Sequence, residues 1–239
     1  MYLYMSILNL EVSGSGEKAI LFLHGWGGNK DSFNNITNIL KYNFKIVKID
    51  LFGFGKSLFP ENISDIYDYA LKLFIEIEKY NLKEIIIVAH SFGGRLALIL
   101  ASFFDLKINK LILIGCAGIK PRKTLKTMLK IKTYKILKAI NNRVFFHIDL
   151  SRFGSSDYKN VTNNMRDFFI KVVNEDLRWL LKNIKTKTEI FVGKNDNSTP
   201  IYMARILNNN IKFSNLIILK NTGHFCFLDY PYQIIEKIL

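Results

Sequence analysis

A chain of 239 residues, 49% of them hydrophobic and 23% charged, is long and apolar enough for one α/β domain of the larger kind with a sizeable core. The formal net charge of +14 raises affinity for acidic partners. No helix-turn-helix, zinc-finger or RNA-binding pattern accompanies it, so it argues for no specific nucleic-acid recognition, and 27 of the 34 basic residues are Lys, the bias that AT-rich coding produces.

Cys116 and Cys226 lie in apolar surroundings and give no disulfide framework, which fits a reduced, cytoplasmic setting. The apolar first ten residues have no Lys or Arg before them and no small-residue cleavage site. They read as an edge strand rather than a signal peptide. No apolar run approaches the length of a membrane span.

In chain order, Ile7 to Val12 and Ala19 to Leu23 read as strands joined by the turn-rich Ser13-Gly-Ser-Gly-Glu17, a hairpin connection. The second strand runs into His24-Gly25-Trp26-Gly27-Gly28. Glycines at the carboxyl end of a buried strand let the backbone approach a ligand and aim amides at it. Asp31 or Ser32 then caps a helix from Asn35 to Lys41.

Phe44 to Ile49 is the next strand, ending in Asp50-Leu-Phe-Gly-Phe-Gly-Lys-Ser57. A phosphate loop would need Gly where Asp50 stands, so that reading fails. Asn62 or Ser64 opens a helix to Tyr80, with Ile66, Tyr69, Ala70, Leu73, Ile77 and Tyr80 on one stripe.

The β-branched run Ile85 to Val88 has the composition of a buried strand. It passes through Ala89-His90-Ser91-Phe92-Gly93-Gly94 into the helix-forming Arg95 to Ser102. A strand that becomes a helix within one residue strains the corner residue and requires small flanks two positions before and after it. Ala89 and Gly93 meet that demand, so Ser91 carries its hydroxyl above the sheet edge, as in the nucleophile elbow Gly-x-Ser-x-Gly. Ala in the first position adds one methyl group to that pattern.

After a further buried strand, Ile108 to Ile114, the alternation breaks. Residues 118–174 read as an amphipathic helical insertion, with helices such as Leu125 to Ile140 and Met165 to Val173, lying over the ligand loops as a lid. Between Asp105 and Asp149 there are eleven Lys or Arg and no acid. Strand and helix resume with Thr188 to Val192, Pro200 to Asn208, Leu216 to Leu219 and a last helix from Pro231. The fold class is α/β, a mostly parallel sheet with helices on both faces and a helical lid insertion. The core comprises residues 1–117 and 175–239, and the lid 118–174.

A serine hydroxyl needs a base to become a nucleophile. Of four histidines, His24 lies in the glycine loop, His90 abuts the elbow and His147 is in the lid. His224, just after the last strand, falls on a loop at the edge where Ser91 sits and is the general base. Asp196, in the loop after the penultimate strand, orients it. Asp229 is the rival, better read as a cap of the last helix. The Trp26 and Phe92 amides are the two donors for a carbonyl oxygen that gains charge.

His24-Gly25-Trp26-Gly27-Gly28, the Asp50 to Ser57 loop, Ala89 to Gly94, the Gly193 to Pro200 loop and Gly223-His224-Phe225 together resemble the α/β-hydrolase superfamily. Within it the chain is similar to the small lidded group of carboxylesterases, acyl-carrier-protein methyl esterases, cofactor-free haloperoxidases and carbon–carbon bond hydrolases. The resemblance implies hydrolysis of an ester or thioester with an apolar acyl part through an acyl-enzyme, with no cofactor and no metal.

Carbon–carbon bond hydrolysis, haloperoxidase-like activity and a non-catalytic ligand receptor are the alternatives. Gly25, Phe145, Phe146, Phe168 and Phe169 are the candidate substrate contacts. Lys120, Arg122, Lys123, Lys126, Lys130 and Arg143 offer a dock for an acidic acyl carrier protein.

Overall fold

Every residue of Ala19–Leu23 (β2) and of Ile85–His90 (β4) is buried, because helices cover both faces of the sheet these strands run through. The computed structural model describes residues 7–122, 133 and 163–239. Within them the remaining strands are β1 (Leu10–Ser13), β3 (Lys45–Ile49), β5 (Ile108–Ile114), β6 (Lys187–Gly193) and β7 (Ser214–Leu219). The helices are α1 (Asn34–Leu40), α2 (Ile66–Glu78), α3 (Phe92–Phe103), α4 (Asn163–Asn174), α5 (Ile201–Asn210), α6 (Cys226–Asp229) and α7 (Pro231–Ile238), with short 3-10 segments at Lys30–Phe33 and Leu177–Asn183.

The sheet order is β1-β3-β2-β4-β5-β6-β7, with β1 antiparallel to β3 and all other pairs parallel. All six parallel strands therefore end at one edge, and the loops that leave that edge carry the candidate site.

Period-two alternation divides the core. Leu21, Leu23, Ile87, Leu111, Leu113 and Ile190 face a layer that includes α2, α3 and α5. Ile20, Phe22, Ile86, Val88, Ile112 and Phe191 face α1 and α7. A fully buried side chain of this kind stabilises by roughly 1.5–3 kcal/mol. The two layers together fix the register that places each strand's last residue.

Four local expectations change. The first two strands do not form a hairpin: β1 pairs with β3, Leu10 opposite Ile49, and β3 lies between β1 and β2. Buried on both faces, β2 takes parallel partners on both sides, while the half-exposed β1 takes the edge. Gly14, at φ +82, turns the chain so close to the end of α1 that a Cβ would stand 2.1 Å from the Phe44 carbonyl oxygen.

The helix caps also move. Asn29, with Ser32 completing a capping box, opens the Lys30–Phe33 turn that leads into α1. Asp65, not Asn62 or Ser64, caps α2 by accepting the Tyr67 and Asp68 amides. Asp229 caps nothing: it lies within α6 and accepts the Thr222 hydroxyl, while Tyr230 occupies the α7 cap position with no side-chain bond.

Of the stretch 118–174, residues 118–122, Thr133 and α4 are described. The Leu125 to Ile140 helix, His147, Phe145 and Phe146 lie outside the described residues. The Leu177–Asn183 turn that follows α4 packs under α3 and α5, with Leu177, Leu180 and Leu181 fully buried.

Candidate active site

Ser91 occupies the corner between β4 and α3 at φ 49, ψ −108, a conformation that costs a non-glycine residue on the order of 1–3 kcal/mol. Bonds on both sides hold it there. Its N–H donates to Ile114 O at 3.0 Å, and its carbonyl accepts Gly94 N at 3.0 Å and Ala117 N at 3.1 Å. The strain turns the side chain out of the strand and toward the loops at the carboxyl edge.

His224 arrives on the loop after β7. Its Nε2 stands 3.0 Å from Ser91 Oγ and its Nδ1 2.8 Å from Asp196 Oδ2. Asp196, on the loop after β6, is saturated. Oδ1 accepts the Ser198 and Thr199 amides at 2.8 Å each, and Oδ2 also accepts the Thr199 hydroxyl at 2.7 Å. Burial opposes its ionisation, yet the hydrogen bonds from His224 and from the Thr199 amide hold the Asp196 carboxyl below its ordinary value. A charged carboxylate facing Nδ1 makes that nitrogen the donor, which leaves Nε2 free to accept from Ser91.

The glycine loop after β2 lies beside the elbow. Gly25 is needed for proximity, because a Cβ there would stand 2.6 Å from His90 Nδ1 and 3.3 Å from Ser91 Cβ. Gly93 N–H donates to His24 O at 3.1 Å and ties α3 to the loop. Phe92 N–H is the first amide of α3, where no intrahelical acceptor exists. Trp26 N–H is given to no acceptor among the described residues.

Two buried histidines hold the surroundings and are neutral. His24 Nδ1 donates to Gly25 O at 2.7 Å, and its Nε2 accepts the Leu51 amide at 3.0 Å, linking the glycine loop to the loop after β3. His90 Nε2 donates to the His224 carbonyl at 3.0 Å. Burial pushes His24 down to about 4 and His90 down to about 3.

A group whose folded pKa is depressed binds its proton first in the unfolded chain. The stability these histidines confer is therefore complete above about pH 6.5 and falls as pH drops toward about 4 and 3. By pH 5 each should have lost about 2 kcal/mol. Denaturant unfolding at pH 7 and pH 5 checks this: His90→Gln should remove about half of the wild-type difference.

Asp50, at the end of β3, is the third organiser. It accepts the Lys30 amide at 2.6 Å, the Lys56 amide at 2.9 Å and the Asn9 side-chain amide at 2.6 Å. Gly55, at φ +57, presses on its carboxylate, so the Asp50 to Ser57 loop is wrapped around a carboxylate where a phosphate loop would hold an anion.

A cavity of about 320 Å³ opens onto Ser91 and His224. Its apolar wall includes Trp26, Ile119, Phe169, Val172, Met203 and Phe225, and its polar groups include Arg95, Ser198 and Thr199. The candidate contacts separate here. Gly25 and Phe169 line the cavity. Phe168 points into the core instead, stacked on Tyr69 at 5.4 Å and against Phe92 at 6.4 Å. Of the basic residues, Lys120 is exposed and Arg122 lies over the Tyr202 ring at 4.7 Å. Lys123, Lys126, Lys130 and Arg143 are outside the described residues.

Arg95 and Thr199 were not foreseen as site residues. Arg95 reads as an ordinary helix former in sequence, and Thr199 as a turn residue before Pro200. Only the fold shows the first inside the cavity and the second against Asp196.

A family model for the alpha/beta hydrolase fold matches residues 18–134. An esterase from Exiguobacterium antarcticum superposes with a TM-score of 0.76 at 26% identity, covering 97% of this chain and 93% of that one. The chain belongs to the α/β-hydrolase superfamily. Among its relatives, a pimeloyl-[acyl-carrier protein] methyl ester esterase of Wigglesworthia glossinidia brevipalpis is 25% identical over 95% of this chain and 94% of that protein. The AB hydrolase superfamily protein YisY of Bacillus subtilis is 29% identical over 97% and 92%. This hydrolase thus shares its fold with proteins that include an esterase. Among the described residues no helix is long and apolar enough to cross a membrane, and no cluster of His, Cys, Asp and Glu could hold a metal ion.

Proposed function

We propose that this hydrolase is a serine esterase, cleaving a carboxylic ester or thioester with an apolar acyl part through an acyl-enzyme. The observation that carries the reading is the hydrogen-bonded chain Asp196–His224–Ser91, at 2.8 and 3.0 Å, beneath a mainly apolar cavity. Ser91 Oγ attacks the substrate carbonyl carbon as His224 Nε2 takes its proton, and the Trp26 and Phe92 amides receive the oxygen that gains charge. The C–O or C–S bond breaks, and the leaving alcohol or thiol departs with the proton held on His224. Water then gives a proton to His224 and its oxygen to the acyl carbon, releasing the acid and restoring Ser91. Residues 118–174 serve as the lid that closes the acyl site. Two free, buried cysteines accord with a cytoplasmic setting.

Labelling with a fluorophosphonate, followed by a panel of esters of increasing acyl length, tests the reading. Ser91 should be the labelled residue. Failure to label it while the protein is folded would remove the enzyme.

The basic residues of the lid favour an acidic acyl carrier protein as the donor of the acyl chain, and a relative bears the name of an esterase of such a substrate. Reversing charge at Arg122 and Lys126 should lower kcat/KM about tenfold on a carrier-bound ester and leave a small p-nitrophenyl ester unchanged. Equal losses on both substrates would remove the docking surface.

A further inference from the structure

Arg95 sits on α3 one helical turn beyond Ser91, is 5% exposed and lines the Ser91 cavity. The hydrogen bond it makes runs from Nη1 to the Glu175 carbonyl oxygen at 3.0 Å. Guanidinium groups are expensive to bury without a counter-charge, and among the described residues no carboxylate forms an ion pair with this one. The two nearest acids are occupied: Glu175 Oε1 accepts the Tyr67 hydroxyl at 2.8 Å, and Asp176 pairs with Arg178 at 2.6 Å. The other ionisable neighbours, Cys116 and Tyr67, are each pushed up to about 12, chiefly by burial, and are neutral. Burial lowers Arg95 itself to about 10, so it is charged at neutral pH.

A buried cation with no ion-pair partner among the described residues, on the wall of a largely apolar cavity, needs a reason. Anchoring one carbonyl uses one of its five N–H groups and would be served by a neutral donor. We propose that Arg95 is an anion subsite of the Ser91 cavity, taking a carboxylate carried on the substrate's acyl chain. Ser91 and Arg95 line the same cavity of about 320 Å³, which suits a short acyl chain with a carboxylate at its far end. The substrate class is therefore the monoester or monothioester of a short dicarboxylic acid, with the methylene chain against Phe169, Val172 and Met203 and the free carboxylate on the guanidinium. This inference rests on Ser91 being the nucleophile.

The test compares monomethyl adipate with methyl hexanoate, which are matched in chain length and differ in the terminal carboxylate. Wild-type enzyme should show a kcat/KM about ten- to a hundredfold higher for the adipate ester, mostly through KM. Arg95→Met should bring the ratio of the two values to one or below, and Arg95→Lys should restore part of it. Because the ratio is taken within one protein sample, a loss of folded protein cancels.

A binding measurement separates the two layers of the argument. Full-length Ser91→Ala should be stabilised against heat by adipate and not by hexanoate, and Ser91→Ala/Arg95→Met by neither. If Ser91→Ala responds to adipate but wild type hydrolyses no ester, the subsite stands and the esterase reading falls. If wild type hydrolyses methyl hexanoate at least as well as monomethyl adipate, and Ser91→Ala ignores adipate, the subsite falls and the esterase reading stands.

Discussion

Ser91→Ala should lower kcat on any ester this hydrolase turns over by about 10⁴–10⁶-fold, with little change in the affinity for substrate. The size of the effect follows from the geometry. Without Oγ there is no covalent route, and what survives is water attack assisted by the Trp26 and Phe92 amides. The alanine variant keeps the fold, because the strain at φ 49 is borne by backbone bonds to Ile114, Gly94 and Ala117 rather than by the hydroxyl. His224→Ala should cost as much, and the double variant no more than either single one, since the two side chains act as one unit.

Asp196→Asn should cost about 10⁴-fold. Its neutral amide would turn an N–H or a weaker acceptor toward His224 Nδ1, and the Ser198 and Thr199 amides fix which oxygen position faces the ring. Steady-state kinetics on one p-nitrophenyl ester checks all four proteins. Multiplicative losses in the double variant would show that Ser91 and His224 do not act on the same proton.

The parallel strands around the elbow, and the three loops that bring Ser91, Asp196 and His224 together, were readable because buried parallel strands announce themselves as β-branched runs and their carboxyl ends must share an edge. Pairing partners are less readable. Leu10 to Ser13 carries the same alternation whether it pairs with β2 or with β3, and only competition for the two edges of β2 decides. The capping aspartate of α2 was misplaced because Asn62, Ser64 and Asp65 are all good caps, and which one reaches the first free amides depends on a single residue of phase.

Arg95 and Thr199 were missed for a different reason. Their chemistry comes from what lies opposite them, Glu175 and Asp196, and no spacing within their own helix or turn encodes that. Phe168 and Phe169 show the limit for apolar residues. Adjacent on α4 and alike in type, one fills the core and the other walls the cavity, a difference of about 100° in helical phase.

Gly93→Ala should be the most damaging single methyl group at the elbow. A Cβ there would stand 2.2 Å from Leu23 O, 2.6 Å from Leu23 C and 2.8 Å from His24 O, all backbone atoms of the central strand β2 and its loop. Nothing flexible can give way, so α3 must lift from the sheet. The Gly93 N–H bond to His24 O would be lost with that movement, and with it the tie between the Phe92 amide and the Trp26 loop.

The expected outcome is a loss of more than about 3 kcal/mol of stability, with any folded fraction reduced about a hundredfold or more in kcat because the proposed donors Trp26 and Phe92 lose the bond that ties their segments together. Gly94→Ala gives the contrast one residue on. Its methyl group would meet the Cys116 Sγ at 2.5 Å, a side chain that can be shortened. Thermal unfolding should find Gly94→Ala partly rescued by Cys116→Ala and Gly93→Ala rescued by no change of side chain. The first small residue of the elbow behaves differently, for Ala89, on the strand between β2 and β5, carries its methyl group fully buried in the core layer that includes α2 and α3. The close approach that makes the elbow is therefore made by α3 over the end of β2, on the carboxyl side of Ser91, and it is Gly93 rather than position 89 that permits it.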